Sequence, residues 1–310
     1  MPRPFRFQVS TSATPDARGW AELARKAEDL GYASLAIADH LDDQFAPLPA
    51  LMAAATATDR LVLTPLVLAN DYRHPAVLAK ELATLDLLSE GRLEIGIGAG
   101  WMGADFAHAG LTFDPPGVRI ARLGEAIAVL KGLLGPDAFT FFGEHYRIDA
   151  LDGQPKPSQQ PYPRFLVAGG GRKVLSLAAR EADIVGINVN LAAGVIDERA
   201  GSSATGAATD EKLQWIRDAA GERFASIELH VRTQIAMVHD HPRDVAEMLA
   251  PALGISIDDA LNSPHALVGT IDGIVDTLLE RRERYGISYV CWHDDALESL
   301  APVVARLAGR

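Results

Sequence analysis

The hydrophobic positions along the chain alternate between short apolar runs and longer stretches with helical periodicity. Residues 61–69 are almost wholly apolar, which is typical of a strand buried on both faces of a parallel sheet. Pro75 then opens a stretch in which leucines recur at helical spacing, at positions 78, 82, 85 and 88. A second apolar run follows at 93–99. This segment is therefore predicted to form a right-handed β-α-β unit.

The same alternation recurs throughout the chain. The runs predicted to be strands are residues 5–10, 34–38, 61–69, 93–99, 165–168, 184–189, 227–238 and 288–292. The stretches predicted to be the helices of these units are residues 16–31, 47–59, 75–88, 118–134, 172–181, 210–220, 271–285 and 296–307. Thr270 is the predicted N-cap of the seventh of these helices. Strand-helix units in this number make a (β/α)8 TIM barrel the expected fold, and an open doubly wound sheet is the alternative.

The chain is expected to be a single domain over residues 1–310, with insertions over the carboxyl ends of the strands. The segments that interrupt the alternation are about 102–116, 135–164, 190–206 and 239–268. The second is rich in proline and contains a predicted hairpin of residues 139–142 and 145–148. The first and third have the composition of loops, and the last contains one or two predicted helices at 243–261. Because strand-helix alternation resumes directly after residue 164, the segment 135–164 is interpreted as an excursion within one domain and not as a linker between two domains.

Composition narrows the class of protein. The 310 residues carry a formal net charge of −12, which argues against nonspecific binding to nucleic acid. The single cysteine, Cys291, excludes an internal disulfide and fits a reducing compartment. Residues 1–10 lack the apolar region of a secretion signal, and no apolar run approaches the length of a membrane span. We therefore expect a cytoplasmic protein that binds neither nucleic acid nor membrane.

Asp39 and His40 directly follow the second predicted strand. In a barrel of this kind the functional residues lie in the loops after the strands. A histidine beside a carboxylate can be oriented by it and can exchange protons near neutral pH. The two residues are therefore the candidate catalytic pair, and the alternative is a polar pair that only caps the strand.

The ends of the third and fourth predicted strands form a second candidate region. Asn70 follows the third strand, where a planar ring could meet the backbone. Gly96, Gly98 and Gly100 alternate along the fourth strand and so share one face, and Trp101 follows them. Glycines in this pattern indicate close approach of a ligand or of another backbone, and the alternative is tight packing of a helix on the strand. The spacing is not G-x-G-x-x-G, which excludes a Rossmann fingerprint here.

A glycine loop lies between a predicted strand and a predicted helix late in the chain. Gly169, Gly170 and Gly171 are followed by Arg172 and Lys173. Free amides at a helix start with adjacent cations form an anion site, and barrels commonly bind phosphate at such a turn. The alternative is a plain tight turn, although cations at a helix start oppose the helix dipole. No metal site is predicted, because the chain has no thiolate pair and no clusters of histidine and aspartate after several strands.

Taken together, several stretches resemble one known family. They are Asp39-His40, the run from Tyr72-Arg73-His74-Pro75 to Leu88-Ser89-Glu90-Gly91-Arg92, the string Gly96-Ile97-Gly98-Ala99-Gly100-Trp101, and Ala168-Gly169-Gly170-Gly171. The chain resembles the bacterial luciferase-like monooxygenase superfamily, and within it the class of oxidoreductases that use the deazaflavin coenzyme F420. The resemblance spans essentially the whole chain. Its segment from 88 to 101 is specific for the superfamily but not for one cofactor.

This resemblance implies a flavin or deazaflavin ring lying over the carboxyl ends of the barrel strands. It implies a non-proline cis peptide near Ala69-Asn70 that presses on the ring. It also places Asp39 and His40 by the reactive carbon and the glycine loop around a phosphate. Asp105 stands where members of the family often carry glutamate a few residues after the tryptophan. A proton-transfer role is therefore not carried over to that position.

Three functions follow as hypotheses. The first is an oxidoreductase that transfers hydride between coenzyme F420 and a small organic substrate, with His40 as acid/base and Asp39 setting its tautomer. Arg73, Arg172 and Lys173 are the candidate partners of the coenzyme's anionic tail. The second is an FMN-dependent monooxygenase that receives reduced flavin from a separate reductase, and the third is a noncatalytic flavin- or deazaflavin-binding protein. The resemblance also implies a homodimer, and the residues do not name the substrate.

Overall fold

One sheet of nine strands forms the centre of the computed structural model, which describes residues 2–195 and 198–310. Within those residues the strands are β1 (Arg6–Thr11), β2 (Ser34–Ile37), β3 (Val62–Pro65), β4 (Leu68–Ala69), β5 (Ile95–Gly98), β6 (Phe139–Phe142), β7 (Arg147–Leu151), β8 (Phe165–Gly169), β9 (Ile184–Ile187), β10 (Glu228–Arg232), β11 (Ile235–Val238), β12 (Ala266–Gly269) and β13 (Ile287–His293). The strands β2, β5 and β9 are buried at every position, as their wholly apolar or small residues predict.

The central sheet closes into a barrel. Its order is β3-β2-β1-β13-β10-β9-β8-β5-β4, and its strand pairs are parallel. The two ends of this order, β3 and β4, are consecutive pieces of one segment that is interrupted at Leu66 and Val67, and a bridge joins Leu63 to Leu93 beside β5. Since β3 and β4 together act as one barrel strand, the barrel has eight. The predicted (β/α)8 TIM barrel is confirmed, and the alternative of an open sheet is wrong.

The helices pack around this barrel. Within the described residues they are α1 (Ala17–Asp29), α2 (Pro47–Ala57), α3 (Pro75–Leu88), α4 (Gly103–Ala109), α5 (Pro116–Leu134), α6 (Arg172–Glu181), α7 (Glu198–Ser202), α8 (Gly206–Ala220), α9 (Pro242–Leu253), α10 (Ile257–Asn262), α11 (Ile271–Tyr285) and α12 (Ala301–Leu307). Thr270 caps α11 as predicted, because its hydroxyl accepts a hydrogen bond from the Gly273 amide at 3.1 Å. Among the described helices, none has both the length and the apolar character that crossing a bilayer requires.

The insertions contain more regular structure than the sequence predicted. The segment 102–116 includes α4, and the segment 190–206 includes α7, with residues 196 and 197 outside the described residues. The run 227–238 is not one strand, because β10 belongs to the barrel whereas β11 pairs with β12 in a separate parallel sheet. The predicted hairpin is confirmed as antiparallel β6 and β7, with its second strand starting at Arg147. The closing helix is shorter than predicted, since a 3-10 turn at Asp294–Ala296 precedes α12.

The amino-terminal end of the barrel is filled by charged side chains that satisfy one another. Arg6 lies 2.8 Å from Glu94 and 3.0 Å from Glu228, and Arg164 lies 2.9 Å from Glu228. The Tyr289 hydroxyl donates to Glu94 at 3.1 Å, and the Arg6 guanidinium lies over the ring of that tyrosine. Buried charges are tolerated when they are paired in this way. Side chains thus occupy this end of the barrel, and its cavity lies at the other end.

Candidate active site

A cavity of about 500 Å³ lies at the carboxyl ends of the barrel strands. It is lined by residues at the ends of β2, β4, β5, β8, β9 and β10, together with residues of α9, α10 and β12. The predicted site residues that line it are Asp39, His40, Ala69, Gly98, Gly100, Trp101, Gly169, Gly170 and Gly171. The predicted residues Asn70 and Arg172 are not among the residues that line it. The barrel therefore brings most of the predicted site together at one place.

His40 is held by a carboxylate, but not by the one that the sequence suggested. Its Nδ1 lies 2.8 Å from Oδ2 of Asp105, and Tyr72 donates its hydroxyl to the same oxygen at 3.2 Å. The imidazole also stands edge-on to Trp101, with ring centroids 5.6 Å apart. Burial, followed by the Asp105 carboxylate, raises the pKa of Tyr72, which therefore stays a hydroxyl donor. Asp105 lies on α4, and it is the residue that orients the histidine.

Asp39 has a different set of partners, so the prediction that it sets the tautomer of His40 is wrong. Its carboxylate accepts two hydrogen bonds from Arg73, at 2.5 and 3.1 Å, and a third from the Ala69 amide at 3.0 Å. The Asp39 side chain is only 3% exposed. This arrangement fixes the backbone where β4 ends, and it also engages Arg73, which was a predicted partner of the coenzyme tail. Asp39 is therefore a positioning residue of the cavity wall.

The alternating glycines of β5 allow another backbone to approach. A side chain at Gly96 would place its Cβ 1.9 Å from the Pro65 carbonyl oxygen, and one at Gly98 would lie 2.8 Å from Val67 Cγ2. Gly100 has a φ of +70° and faces the Phe106 ring. The sequence left three explanations open for these glycines: a close ligand, a close backbone or a tightly packed helix. At Gly96 the explanation is the close approach of another backbone. Gly98 and Gly100 also line the cavity.

The non-proline cis peptide lies three residues earlier than the resemblance implied. It joins Leu66 to Val67, between β3 and β4, and both residues line the cavity. Its position follows the interruption of the strand, because the chain leaves the β3 ladder after Pro65 and not after Ala69. Asn70 is instead buried, and its side-chain amide donates to the Tyr146 hydroxyl at 3.1 Å. Asn70 therefore does not line the cavity, and its position under a ring stays a prediction.

The glycine loop brings the start of α6 to the cavity. An α-helix leaves its first N–H groups without intrahelical partners, and no side chain in the described part of the chain caps α6, whose N-cap is Gly171. A Cβ at Gly171 would meet no atom within 4 Å, whereas one at Gly170 would lie 2.1 Å from the Val189 carbonyl oxygen. The side chains of Arg172 and Lys173 are exposed at the same helix start. These amides and cations can bind an anion.

One wall of the cavity was not predicted from the sequence. It is formed by β10 and the last insertion. His230, Arg232 and His265 line this wall. Burial, followed by the charges of Arg6 and Arg232, lowers the pKa of His230 to about 3, so this ring is neutral at physiological pH. The alternation of His230 and Arg232 in a predicted strand was a usable signal, because both point to one face. His265 had no such signal, since it lies in the last insertion, after the helices predicted at 243–261.

No group of three or more histidine, cysteine, aspartate and glutamate side chains within residues 2–195 and 198–310 has the arrangement of a metal site. The polar groups at the cavity include an oriented imidazole, the amides at the start of α6 and the guanidinium of Arg232.

Comparisons with known proteins agree with this picture. A sequence profile of the family described as luciferase-like monooxygenase matches residues 3–212. An FMNH2-dependent dimethylsulfone monooxygenase from Pseudomonas putida is 32% identical over 169 residues, which are 53% of this chain and 46% of that protein. An F420-dependent glucose-6-phosphate dehydrogenase from Kineococcus radiotolerans is 36% identical over 190 residues, which are 58% of this chain and 56% of that protein. The chain thus spans about half the length of these curated relatives.

A solved structure shares the fold over nearly the whole chain. It is the coenzyme F420-dependent tetrahydromethanopterin reductase from Methanopyrus kandleri, with a TM-score of 0.79, 18% identity and 99% of both chains covered. At this identity the likeness shows the fold alone. The two curated relatives are named for different cofactors, FMNH2 in the first and F420 in the second.

Proposed function

The chain belongs to the luciferase-like monooxygenase family, and within that family we propose that it is an oxidoreductase that transfers hydride between coenzyme F420 and a small organic substrate. The observation that carries this proposal is the imidazole of His40, held at 2.8 Å by Asp105 in the wall of the cavity. When hydride leaves or reaches a carbon that bears an oxygen, a proton must also move. An oriented imidazole can take or give that proton near neutral pH.

The walls of the cavity fit a planar ring with an anionic tail. Gly98 and Gly100 line the cavity and allow Val67 and Phe106 to approach them closely, and Leu66 and Val67 line the same space. The open N-terminus of α6 offers amides to a phosphate, as helix starts do in other nucleotide sites. Arg172 and Lys173 are exposed beside it and can pair with further negative charges on a protein that is otherwise acidic.

Each residue of the site has a separate role in the proposed reaction. Coenzyme F420, when bound, supplies the carbon that accepts or donates hydride. Because the Asp105 carboxylate can only accept hydrogen bonds, it holds the Nδ1 proton of His40 and leaves Nε2 to exchange a proton with the substrate. Tyr72 fixes the carboxylate, and Trp101 stands against the imidazole and excludes water from one side. Asp39, paired with Arg73, holds the backbone at Ala69, where β4 ends.

The second candidate is an FMN-dependent monooxygenase that receives reduced flavin from a separate reductase. The similarity to the FMNH2-dependent dimethylsulfone monooxygenase from Pseudomonas putida favours it. The same helix start and the same glycine-lined wall can accept the single phosphate and the ring of FMN. The two candidates therefore differ in the cofactor and not in the position of the site.

Titration of the purified protein with coenzyme F420 and with FMN, followed by cofactor fluorescence, tests the proposal. We expect micromolar binding of F420 and at least roughly tenfold weaker binding of FMN, which corresponds to about 1.4 kcal/mol. Micromolar or tighter binding of FMN alone would overturn the first candidate in favour of the second. The His40→Gln variant should bind F420 as tightly as the wild type but lose hydride transfer. Unchanged transfer in this variant would remove the acid/base role and leave cofactor binding intact.

A further inference from the structure

Two buried polar groups on the β10 side of the cavity have no partner in the described part of the chain. Across residues 2–195 and 198–310, the buried side-chain atoms without a hydrogen-bond partner are Arg232 Nε, His265 Nε2, Arg282 Nε and Ser288 Oγ. Only the first two belong to residues that line the cavity. His265 is 3% exposed. Since buried polar groups are nearly always hydrogen-bonded, two on residues that line a cavity indicate a ligand.

Cations lie in the wall on this side of the cavity and next to the residues that form it. Lys212 is buried and donates only to backbone carbonyls, those of Asn188 at 2.8 Å and Ser203 at 2.5 Å. Arg281 donates to the Ser263 carbonyl at 2.8 Å. Together with Arg232 they are three cations that form no ion pair with any carboxylate of the described residues. Arg232 lines the cavity, whereas Lys212 and Arg281 do not. In a chain of net charge −12, such a cationic cluster is complementary to an anion.

His265 supplies an acceptor beside this cluster. Its Nδ1 lies 3.2 Å from the Arg232 carbonyl oxygen, which can only accept, so Nδ1 carries the proton. Burial, followed by the charge of Lys212, lowers the pKa of His265 to about 3, and the ring is therefore neutral. Nε2 then has a free lone pair. A ligand here meets a guanidinium that donates and an imidazole nitrogen that accepts.

The rest of this end of the cavity is apolar. Helices α9 and α10 and the loop between them contribute Val245, Leu249, Leu253, Ile255 and Leu261 to its lining. Such a wall accommodates a hydrocarbon body and offers it no hydrogen bond. The polar groups and the apolar wall thus describe one amphipathic ligand.

We propose that this side of the cavity is the substrate subsite, and that it takes a hydroxycarboxylic acid with an apolar body. The carboxylate pairs with Arg232, the hydroxyl donates to His265 Nε2, and the body lies against α9 and α10. The inference rests on the proposed function, because it names the substrate class of the same cavity. The bidentate pairing of a guanidinium with a carboxylate gives the specificity.

Calorimetric titration with octanoate, 3-hydroxyoctanoate and octan-1-ol, with and without saturating F420, tests the subsite. We expect octanoate to bind roughly tenfold or more tightly than octan-1-ol, and 3-hydroxyoctanoate to bind roughly threefold more tightly again. These comparisons use the wild-type protein, so they do not depend on the folding of a variant. Equal binding of the acid and the alcohol, or no saturable binding of either acid, would overturn the proposal.

Variants assign the two contacts. Arg232→Gln should remove the preference for octanoate over octan-1-ol, and His265→Phe should remove the gain from the hydroxyl. Arg18→Gln removes the same charge at an exposed position of α1, outside the cavity lining, and should preserve both preferences. Preferences that survive in the Arg232 variant would contradict the subsite. Acid binding that depends on Arg232 in a protein that binds neither F420 nor FMN would instead refute the proposed function alone.

Discussion

His40 Nδ1 lies 2.8 Å from Asp105 Oδ2, across 65 residues of the chain. The histidine follows β2 and the aspartate lies on α4, so the barrel and its first insertion must both be in place before the pair can form. Tyr72, from the turn after β4, donates to the same carboxylate oxygen at 3.2 Å. Three loops at the carboxyl end of the barrel therefore fix the orientation of one imidazole.

Replacing Asp105 with Asn should disturb this orientation without removing the cofactor site. The asparagine amide can donate as well as accept, so His40 is no longer held with its proton on Nδ1. We expect turnover to fall roughly 10- to 100-fold and cofactor binding to stay unchanged. Nitrogen NMR of labelled histidine should show a second His40 tautomer in the variant. A single unchanged tautomer together with wild-type turnover would contradict the role of Asp105.

The partner of His40 could not be predicted from the sequence. Asp39 and His40 are adjacent, and adjacency suggested that the carboxylate serves the imidazole. Successive side chains at the end of a strand point in opposite directions, however, so neighbours in sequence seldom share a partner. Asp39 instead contacts Arg73 and the Ala69 amide. Nothing local in the sequence could place Asp105 against His40, because that contact depends on how an insertion folds over the barrel.

The fold was much easier to predict from the sequence than the contacts of the site. Parallel strands buried on both faces give apolar runs that are visible without any partner, and helix caps such as Thr270 are local. The prediction of one strand over 227–238 was wrong for a physical reason. The alternation of side chains in this run continues across the break between β10 and β11. The wall that contains Arg232 and His265 was missed with it. That wall is set by tertiary pairing of β11 with β12, not by periodicity.

The pair of Arg73 and Asp39 should be important for stability. The Asp39 side chain is 3% exposed, and removal of Arg73 leaves its charge buried with the Ala69 amide as its one remaining partner among the described residues. Arg73→Met should therefore lower the free energy of unfolding by about 3 kcal/mol. Asp39→Asn in the same chain removes the buried charge, so the double variant should be more stable than Arg73→Met alone. Urea unfolding of the single and double variants measures the coupling, and additive losses would contradict it.

Some glycines of the site are expected to be important for stability and others for cofactor binding. Gly96→Ala would place a Cβ 1.9 Å from the Pro65 carbonyl oxygen, so the two backbones must separate. We expect a loss of about 3 kcal/mol or more in stability, at the upper end of ordinary substitutions. Gly171→Ala meets no atom within 4 Å and should unfold at the wild-type temperature.

The same Gly171→Ala variant should bind the cofactor less tightly, because its methyl group stands at the open start of α6. Thermal unfolding and cofactor titration of the two variants separate these effects. A stable Gly96→Ala protein would show that the bulge can move away from β5. Unchanged cofactor binding by Gly171→Ala would place the phosphate elsewhere.

Two buried histidines should make stability depend on pH. The pKa of both His230 and His265 is lowered to about 3 by burial and nearby cations. The unfolded chain has ordinary histidine pKa values of about 6.5, so it binds more protons than the folded chain between about pH 6.5 and 3. Stability must then fall as the pH is lowered through this window. Each histidine contributes a loss on the order of 2 kcal/mol between pH 7 and pH 5.

His230→Gln should reduce this pH dependence, and His293→Gln should increase it. The first substitution removes one group whose folded pKa is lowered, so the variant takes up about one proton fewer on unfolding at pH 5. His293 has the opposite sign, because its contact with Asp294 raises its pKa and stabilises the folded chain below about pH 6.5. Urea unfolding of the wild type and both variants at pH 7, 6 and 5 measures the slopes. Parallel slopes in all three proteins would show that these histidines titrate alike in the folded and unfolded chains.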